Sequence, residues 1–213
     1  MTINTNAYGT LNKKHVTRIK DTFDNAFEVH SRVLLLRIDL RMPDIDSSMY
    51  SDDASVITRF ISSLKAKIEA DLTRKQKAGK RIYPCNLITV WCREFGENNK
   101  KHYHVALLLN QAVYAYPGSY KSVDGKYHHN LAYMIMSAWV SALQIKDLIN
   151  PSQHYFPLVH FPEKCYYHLR KNGNGFDNDL NDAIERVNYL AKDYSKDNSD
   201  GKRNFGCSNK KVN

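Results

Sequence analysis

Two β-prone runs, residues 85–95 and 102–109, face each other across Gly96 to Lys101, and no other feature limits the fold of this chain so strongly. A short link of glycine, asparagine and lysine between two such runs signals a hairpin, which sets antiparallel pairing and register together. Symmetric closure brings Glu94 near His102 and Cys92 opposite His104. Before the hairpin, Val33 to Leu40 is a dense apolar run with charges only at Arg37 and Asp39, the pattern of a buried strand, which Pro43 and the polar stretch to Ser51 end. From Asp52 to Ala78, Val56, Ile57, Phe60, Ile61, Leu64, Ile68 and Leu72 recur at helical spacing, with Ser51 or Asp52 as the expected N-cap. Helices are also predicted over 11–30, His129 to Ile145 and Asp177 to Lys196, and a strand over Tyr155 to His160. The order α-β-α-β-β-α-β-α contains β-α-β-β-α-β. The expected class is therefore α+β, with a ferredoxin- or RRM-like antiparallel sheet, helices on one face, the other face free for chemistry, and an added N-terminal helix. One domain is expected over 1–213, with 1–31 as a helical extension and 197–213 as a basic, flexible tail.

An apolar content of 42% makes a real core attainable. Lys and Arg outnumber Asp and Glu by 31 to 22, for a formal charge of +9 and a pI near 9.3, which favours polyanions through counterion release. The four cysteines, at 85, 92, 165 and 207, include no C-x-x-C pair, so neither a zinc ribbon nor a disulfide framework is indicated and a reducing cytoplasm is the simplest setting. Met1 to Asn12 is polar, unlike a signal peptide, and the apolar run Leu131 to Leu143 is too short to span a bilayer, so no membrane role is expected.

His102 and His104 point to the same side of their predicted strand, because strand side chains alternate. Two imidazoles so placed can chelate one divalent ion, and the carboxylate of Glu94 alongside widens the choice toward Mn²⁺ or Mg²⁺. Open positions would remain for a phosphate oxygen. An H-x-H pair on a half-exposed strand is otherwise an ordinary surface feature. Near the C-terminus, Tyr189, Lys192 and Lys196 fall within roughly 60° of one another on a continuous helix. Two ammonium groups beside a phenol favour its phenolate form and can hold a phosphate, as a tyrosine nucleophile requires. Tyr194 lies about 140° away around such a helix and is a candidate second tyrosine only if the helix end unwinds. The alternative for Tyr189 is a tyrosine packed in an amphipathic helix, one of 14 in the chain.

Among the other features, His128 and His129 read as loop or cap residues and Trp139 as core, while His160 and His168 lie near the predicted fourth strand, where either could approach the open sheet face, and a structural role is favoured for both. Gly118 to Lys126 has the wrong length for a P-loop and lacks the following Ser or Thr.

The two chemistry-bearing segments together resemble the HUH endonucleases: a His-hydrophobe-His strand with Tyr103 in the middle position, an acidic third ligand, and a later tyrosine with Lys three residues on. The chain is also similar to the inovirus gene-II-like (YagK/YfjJ) family of phages, satellites and prophage islands. That likeness is carried in order by Arg32 to Pro43, Val90 to Glu94, His102 to Asn110, Ala138 to Leu143, Leu158 to Pro162, Tyr189 to Lys192, and Asn204 to Gly206. It implies metal-dependent nicking of single-stranded DNA through a 5′-phosphotyrosine intermediate, initiating rolling-circle replication from an origin, with host helicase and DNA polymerase as partners. By the same resemblance Glu94, His102 and His104 hold the metal, Tyr189 attacks, and Lys192 assists. Arg37 and Asp39 contact DNA or support the site, and Lys196 joins the DNA contacts. Asp193 stands where many such initiators carry a second tyrosine, which leaves a two-tyrosine cycle open. Lys65 to Arg81 and the tail are the expected DNA-binding surface. Two rivals predict different behaviour: a non-catalytic nucleic-acid-binding regulator on the same fold, and a metal-dependent nuclease that uses water.

Overall fold

The computed structural model describes residues 9–96, 100–147, 149–192 and 200–208. Its elements in order are α1 (Lys13–Val29), β1 (Arg32–Arg41), α2 (Val56–Lys77), β2 (Ile88–Phe95), β3 (Lys101–Asn110), α3 (Leu131–Leu143), β4 (Val159–His160), β5 (Tyr166–Arg170), α4 (Phe176–Asn188) and β6 (Phe205–Cys207). The class is α+β. Six antiparallel strands run β4-β1-β3-β2-β6, with β5 also paired to β1, along the edge that β4 shares.

Alternation along each strand decides what lies on either side of this sheet. Leu34, Leu36, Ile38 and Leu40 of β1 share one face with Tyr103, Val105, Leu107 and Leu109 of β3. Against them pack Val56, Phe60 and Leu64 of α2 and Ile135, Ala138 and Trp139 of α3. The Trp139 indole nitrogen donates to the Arg41 carbonyl at 2.8 Å, which satisfies its one polar atom inside the core. On the opposite face, Val33, Leu35, Val90, Ala106 and Leu108 meet Ile19, Phe23 and Phe27 of α1 and Ala183 and Val187 of α4. Burying each of the larger of these side chains contributes about 1.5–3 kcal/mol.

Helices therefore cover both faces, not one. The expected free face fails because α1 is not an appendage: its apolar stripe at Ile19, Phe23, Ala26 and Phe27 is buried against the sheet. Only part of that second face stays open, where β1 and β3 turn polar at Arg37, Asp39, His104 and His102.

Three further expectations change. The strand predicted over Tyr155 to His160 is mostly a 3-10 turn, Ser152–Leu158, leaving two residues for β4. The last helix stops at Asn188, and a 3-10 turn, Tyr189–Ala191, follows. The expected flexible tail contributes β6, whose Phe205 pairs with Cys92, because Arg93 holds the segment before it. The Arg93 guanidinium donates to both carboxylate oxygens of Asp200 at 2.6 and 2.7 Å and to the Asn204 side chain at 2.7 Å. No helix among the described residues is long and apolar enough to cross a membrane.

Candidate functional site

The β2–β3 ladder aligns Cys92 with His104 and Glu94 with His102, so the three polar side chains Glu94, His102 and His104 sit on neighbouring rungs of one face. Their ligand atoms all lie within 4.8 Å of one another. His102 Nε2 is 3.2 Å from His104 Nε2, which is 3.1 Å from Glu94 Oε2, and the third edge of the triangle is 3.9 Å. An ion about 2.1 Å from three donors at right angles sets those donors roughly 3 Å apart, so two edges already fit and the third needs a small rotation. Two imidazoles and one carboxylate suit Mn²⁺ or another first-row divalent ion.

Behind this triad, Asp39 aligns with His104 across the β1–β3 ladder. His104 Nδ1 donates to Asp39 at 2.6 Å, which leaves Nε2 as the lone-pair nitrogen directed at the triad. Burial works against ionisation of Asp39, yet the His104 hydrogen bond and the Arg37 guanidinium hold its carboxyl well below the usual carboxylate range. His102 is pushed below the ordinary imidazole value by burial and then by the neighbouring His104, which favours the neutral ring that can ligate a metal. The Cys92 thiol donates to Glu94 at 3.7 Å.

Tyr189 comes to this cluster from the far end of the chain. Its ring stands edge-on to the His104 imidazole, with centroids 5.4 Å apart. Lys192 Nζ sits 3.3 Å from the centre of the Tyr189 ring, on its face rather than at its hydroxyl, and Lys192 is itself buried. Because the helix ends before Tyr189, this pairing arises within a tight turn and not from helical spacing. The turn is held from outside: the Asn12 backbone N–H donates to the Ala191 carbonyl at 2.8 Å, and Leu11 bridges to Lys192. The Asn12 side chain also caps α1 by accepting from His15 N at 3.2 Å. The start of α1 thus clamps the tyrosine turn to the sheet.

The structure brings together Glu94, His102, His104, Asp39, Tyr189 and Lys192. Arg37, expected among the DNA contacts, is 4% exposed and turned inward, with its guanidinium on Asp39; its role is to support that carboxylate. Lys196 and Tyr194 lie outside the described residues. The basic end of α2 lies away from the triad, beyond the opposite end of β3: Lys75 stacks on Tyr114 at 4.5 Å, and both Arg74 and Lys75 are paired with Asp71. Cations closer to the site escaped the sequence reading. Arg41, Lys100 and Lys101 line a cleft of about 520 Å³ together with His102 and His104. His160 also belongs here, its Nδ1 3.2 Å from Asp39 Oδ2. The hairpin placed Lys100 and Lys101 next to His102, a signal that the run of like residues contained; His160, which the sequence placed near the open face but favoured as structural, reaches the cluster.

The YagK/YfjJ C-terminal domain matches residues 1–208. The uncharacterized protein YagK of Escherichia coli (strain K12) is 40% identical over 185 residues, covering 84% of each chain. The uncharacterized protein YfjJ of the same strain is 34% identical over 201 residues, covering 90% of this chain and 91% of its own. No solved structure gives a significant match.

Proposed function

The chain belongs to the YagK/YfjJ C-terminal domain family, and we propose that it is a metal-dependent, tyrosine-nucleophile nickase of single-stranded DNA in the manner of the HUH endonucleases. One observation carries the reading. The His-x-His strand and the tyrosine segment, 85 residues apart, meet ring to ring at 5.4 Å beside the Glu94 carboxylate. The strand order β4-β1-β3-β2 supports a ferredoxin-like core for this site, with β5 and β6 as additions at the two edges.

In the proposed reaction, single-stranded DNA lies in the cleft with its phosphates toward Arg41, Lys100 and Lys101. Glu94, His102 and His104 would hold a divalent ion, which when bound would supply Lewis-acid charge at the scissile phosphate. The Tyr189 hydroxyl oxygen attacks phosphorus and loses its proton to solvent. The new phosphorus–tyrosine bond forms as the bond to the 3′ oxygen breaks, and that oxygen takes up a proton. The products are a 5′-phosphotyrosine and a free 3′-OH. Lys192 stabilises the developing negative charge on the phenol through its position on the ring face. Asp39 keeps His104 in the tautomer that offers Nε2. The 3′-OH then primes a host polymerase, assisted by a host helicase, in rolling-circle replication of a phage, satellite or prophage element in the bacterial cytoplasm.

The test incubates purified protein and Mn²⁺ with end-labelled single-stranded DNA from its own replicon. A protein–DNA adduct that survives a denaturing gel, and is absent with Tyr189→Phe or excess chelator, is the expected result. Cutting by Tyr189→Phe without an adduct would mean water attacks instead. Binding without cutting by the parent protein would leave a nucleic-acid-binding regulator.

A further inference from the structure

Outside the metal cluster, the edge of the sheet formed by β4 and β5 carries a row of aromatic rings. Tyr166 and His168 project from the same side of β5, and Tyr116, from the loop after β3, closes on both: its ring lies 5.5 Å from Tyr166 and 5.0 Å from His168. Tyr166 and His168 are themselves 5.4 Å apart. Nearer the metal cluster, Tyr120 stacks on Phe161 at 4.6 Å and 14°. Phe161 directly follows His160, the residue that touches Asp39.

Three of these rings are exposed where core aromatics would not be, while Phe161 is buried beneath Tyr120. Tyr116 is 58% exposed, Tyr120 40% and Tyr166 39%. They are also held in place, which a merely solvated loop would not achieve. His168 Nε2 lies 2.5 Å from the Ala115 carbonyl, the Ala132 N–H donates to the Pro117 carbonyl at 2.8 Å, and the Asn130 amide donates to the Ser119 carbonyl at 2.9 Å. Exposed cations accompany the rings: Lys121 beside Tyr120, Lys126 further along the loop, Lys164 just before β5, and Arg170 at its end. Asp124 and Glu163 are the acids in the same stretches, so positive charge prevails.

We infer that this edge is a stacking track for single-stranded DNA on the α2 and α3 side of the sheet. Preordered rings rimmed by cations are what an unpaired strand needs: every base has a face to stack, and the phosphates meet positive charge. Duplex DNA keeps its bases stacked on each other and cannot use the rings. Tyr166 and His168 pair with Leu36 and Leu34, so the rings stand on the α2 and α3 side of the sheet, and a strand passing between them and the metal cluster rounds the edge at β4 and β5. The inference rests on the nicking reading for the identity of the strand, not for the stacking contact itself.

The experiment measures fluorescence anisotropy of an end-labelled oligothymidylate of about 20 nucleotides with the full chain carrying Tyr189→Phe, so that nothing is cut. Adding Tyr116→Ala and Tyr166→Ala should weaken binding about tenfold or more, with affinity for a duplex of equal length changed less than about twofold. Tyr116→Phe with Tyr166→Phe should bind like the parent, because stacking needs the ring and not the hydroxyl. Tyr116→Ala alone, at a loop position, gives a graded loss if the double variant melts early. Unchanged affinity in the folded alanine variant overturns the track, as does equal loss in the phenylalanine variant. Tighter binding of oligouridylate overturns the assignment to DNA. A dimer in sedimentation that Tyr116→Ala dissolves would make the edge a contact between copies. Loss of affinity in the alanine variant, with no adduct from the parent protein in the Mn²⁺ nicking test, would sink the nickase and keep the track. An adduct from the parent protein, with affinity unaltered in the alanine variant, would do the reverse.

Discussion

The two faces of one sheet are built from alternate residues of the same strands, yet they end differently. On the face covered by α2 and α3, β3 is apolar from Tyr103 to Leu109: Tyr103, Val105, Leu107 and Leu109 are all buried. On the face covered by α1 and α4, β3 begins the same way at Leu108 and Ala106 and then changes to His104 and His102. β1 repeats the contrast, with Leu34, Leu36, Ile38 and Leu40 on one side and Val33, Leu35, Arg37 and Asp39 on the other. A continuous face supplies stability, and that allows half of the opposite face to hold groups that cost free energy to bury. Residues one rung apart should then fail in different ways when altered.

The sharpest break of this comparison comes from His104→Ala. Mn²⁺-dependent adduct formation should fall by three orders of magnitude or more, on the order of losing the ion's transition-state stabilisation, while the melting temperature stays within a few degrees of the parent. Loss of folding instead would mean the open face is structural. Next is Leu107→Ala on the closed face, which should cost about 2–5 kcal/mol in a urea melt, with the activity of the molecules that remain folded largely kept. A smaller effect belongs to Asp39→Asn: Mn²⁺ affinity should weaken about 10–100-fold in a calorimetric titration, since His104 loses the carboxylate that fixes its tautomer. Equal affinity would remove Asp39 from the site. The smallest effect concerns Asp71, a buried residue of α2. Burial opposes its ionisation, but Lys75, Arg74 and the Tyr114 hydroxyl hold its carboxyl below the ordinary range. A depressed folded-state value gives stability that is complete above about pH 4 and is lost as pH falls further. Asp71→Asn should therefore cost about 1–2 kcal/mol at pH 7 and less at pH 3, read from urea melts at both.

Much of the site was legible because strands repeat every two residues and hairpins fix register. Glu94 opposite His102 and Cys92 opposite His104 follow from the short link alone, and the ladder has that pairing. The helix carrying the tyrosine was harder to read. Asn188-Tyr189-Leu190-Ala191-Lys192 contains neither Gly nor Pro, so no local signal ends the helix at Asn188; the Asn12 and Leu11 contacts act from nearly the whole chain length away. β5 and β6 were missed for a similar reason. Tyr166-Tyr-His-Leu-Arg170 shows no clean alternation, and β6 is three residues long, paired to β2 next to the Arg93 hold on Asp200 and Asn204. The covering of the second face was hidden as well, since an amphipathic stripe does not say which side of a sheet it will choose.

The ladder between β2 and β3 has one more consequence. Sliding β3 by a single residue would turn His102 and His104 into the core under α2 and α3 and bring Tyr103 round to the open cleft, and the same slip of β2 would turn Glu94 into that core. A one-codon gain or loss within β3 would therefore disturb both the polar cluster and the core packing, whereas substitution at Glu94, His102, His104 or Tyr189 would change the cluster and leave the register in place.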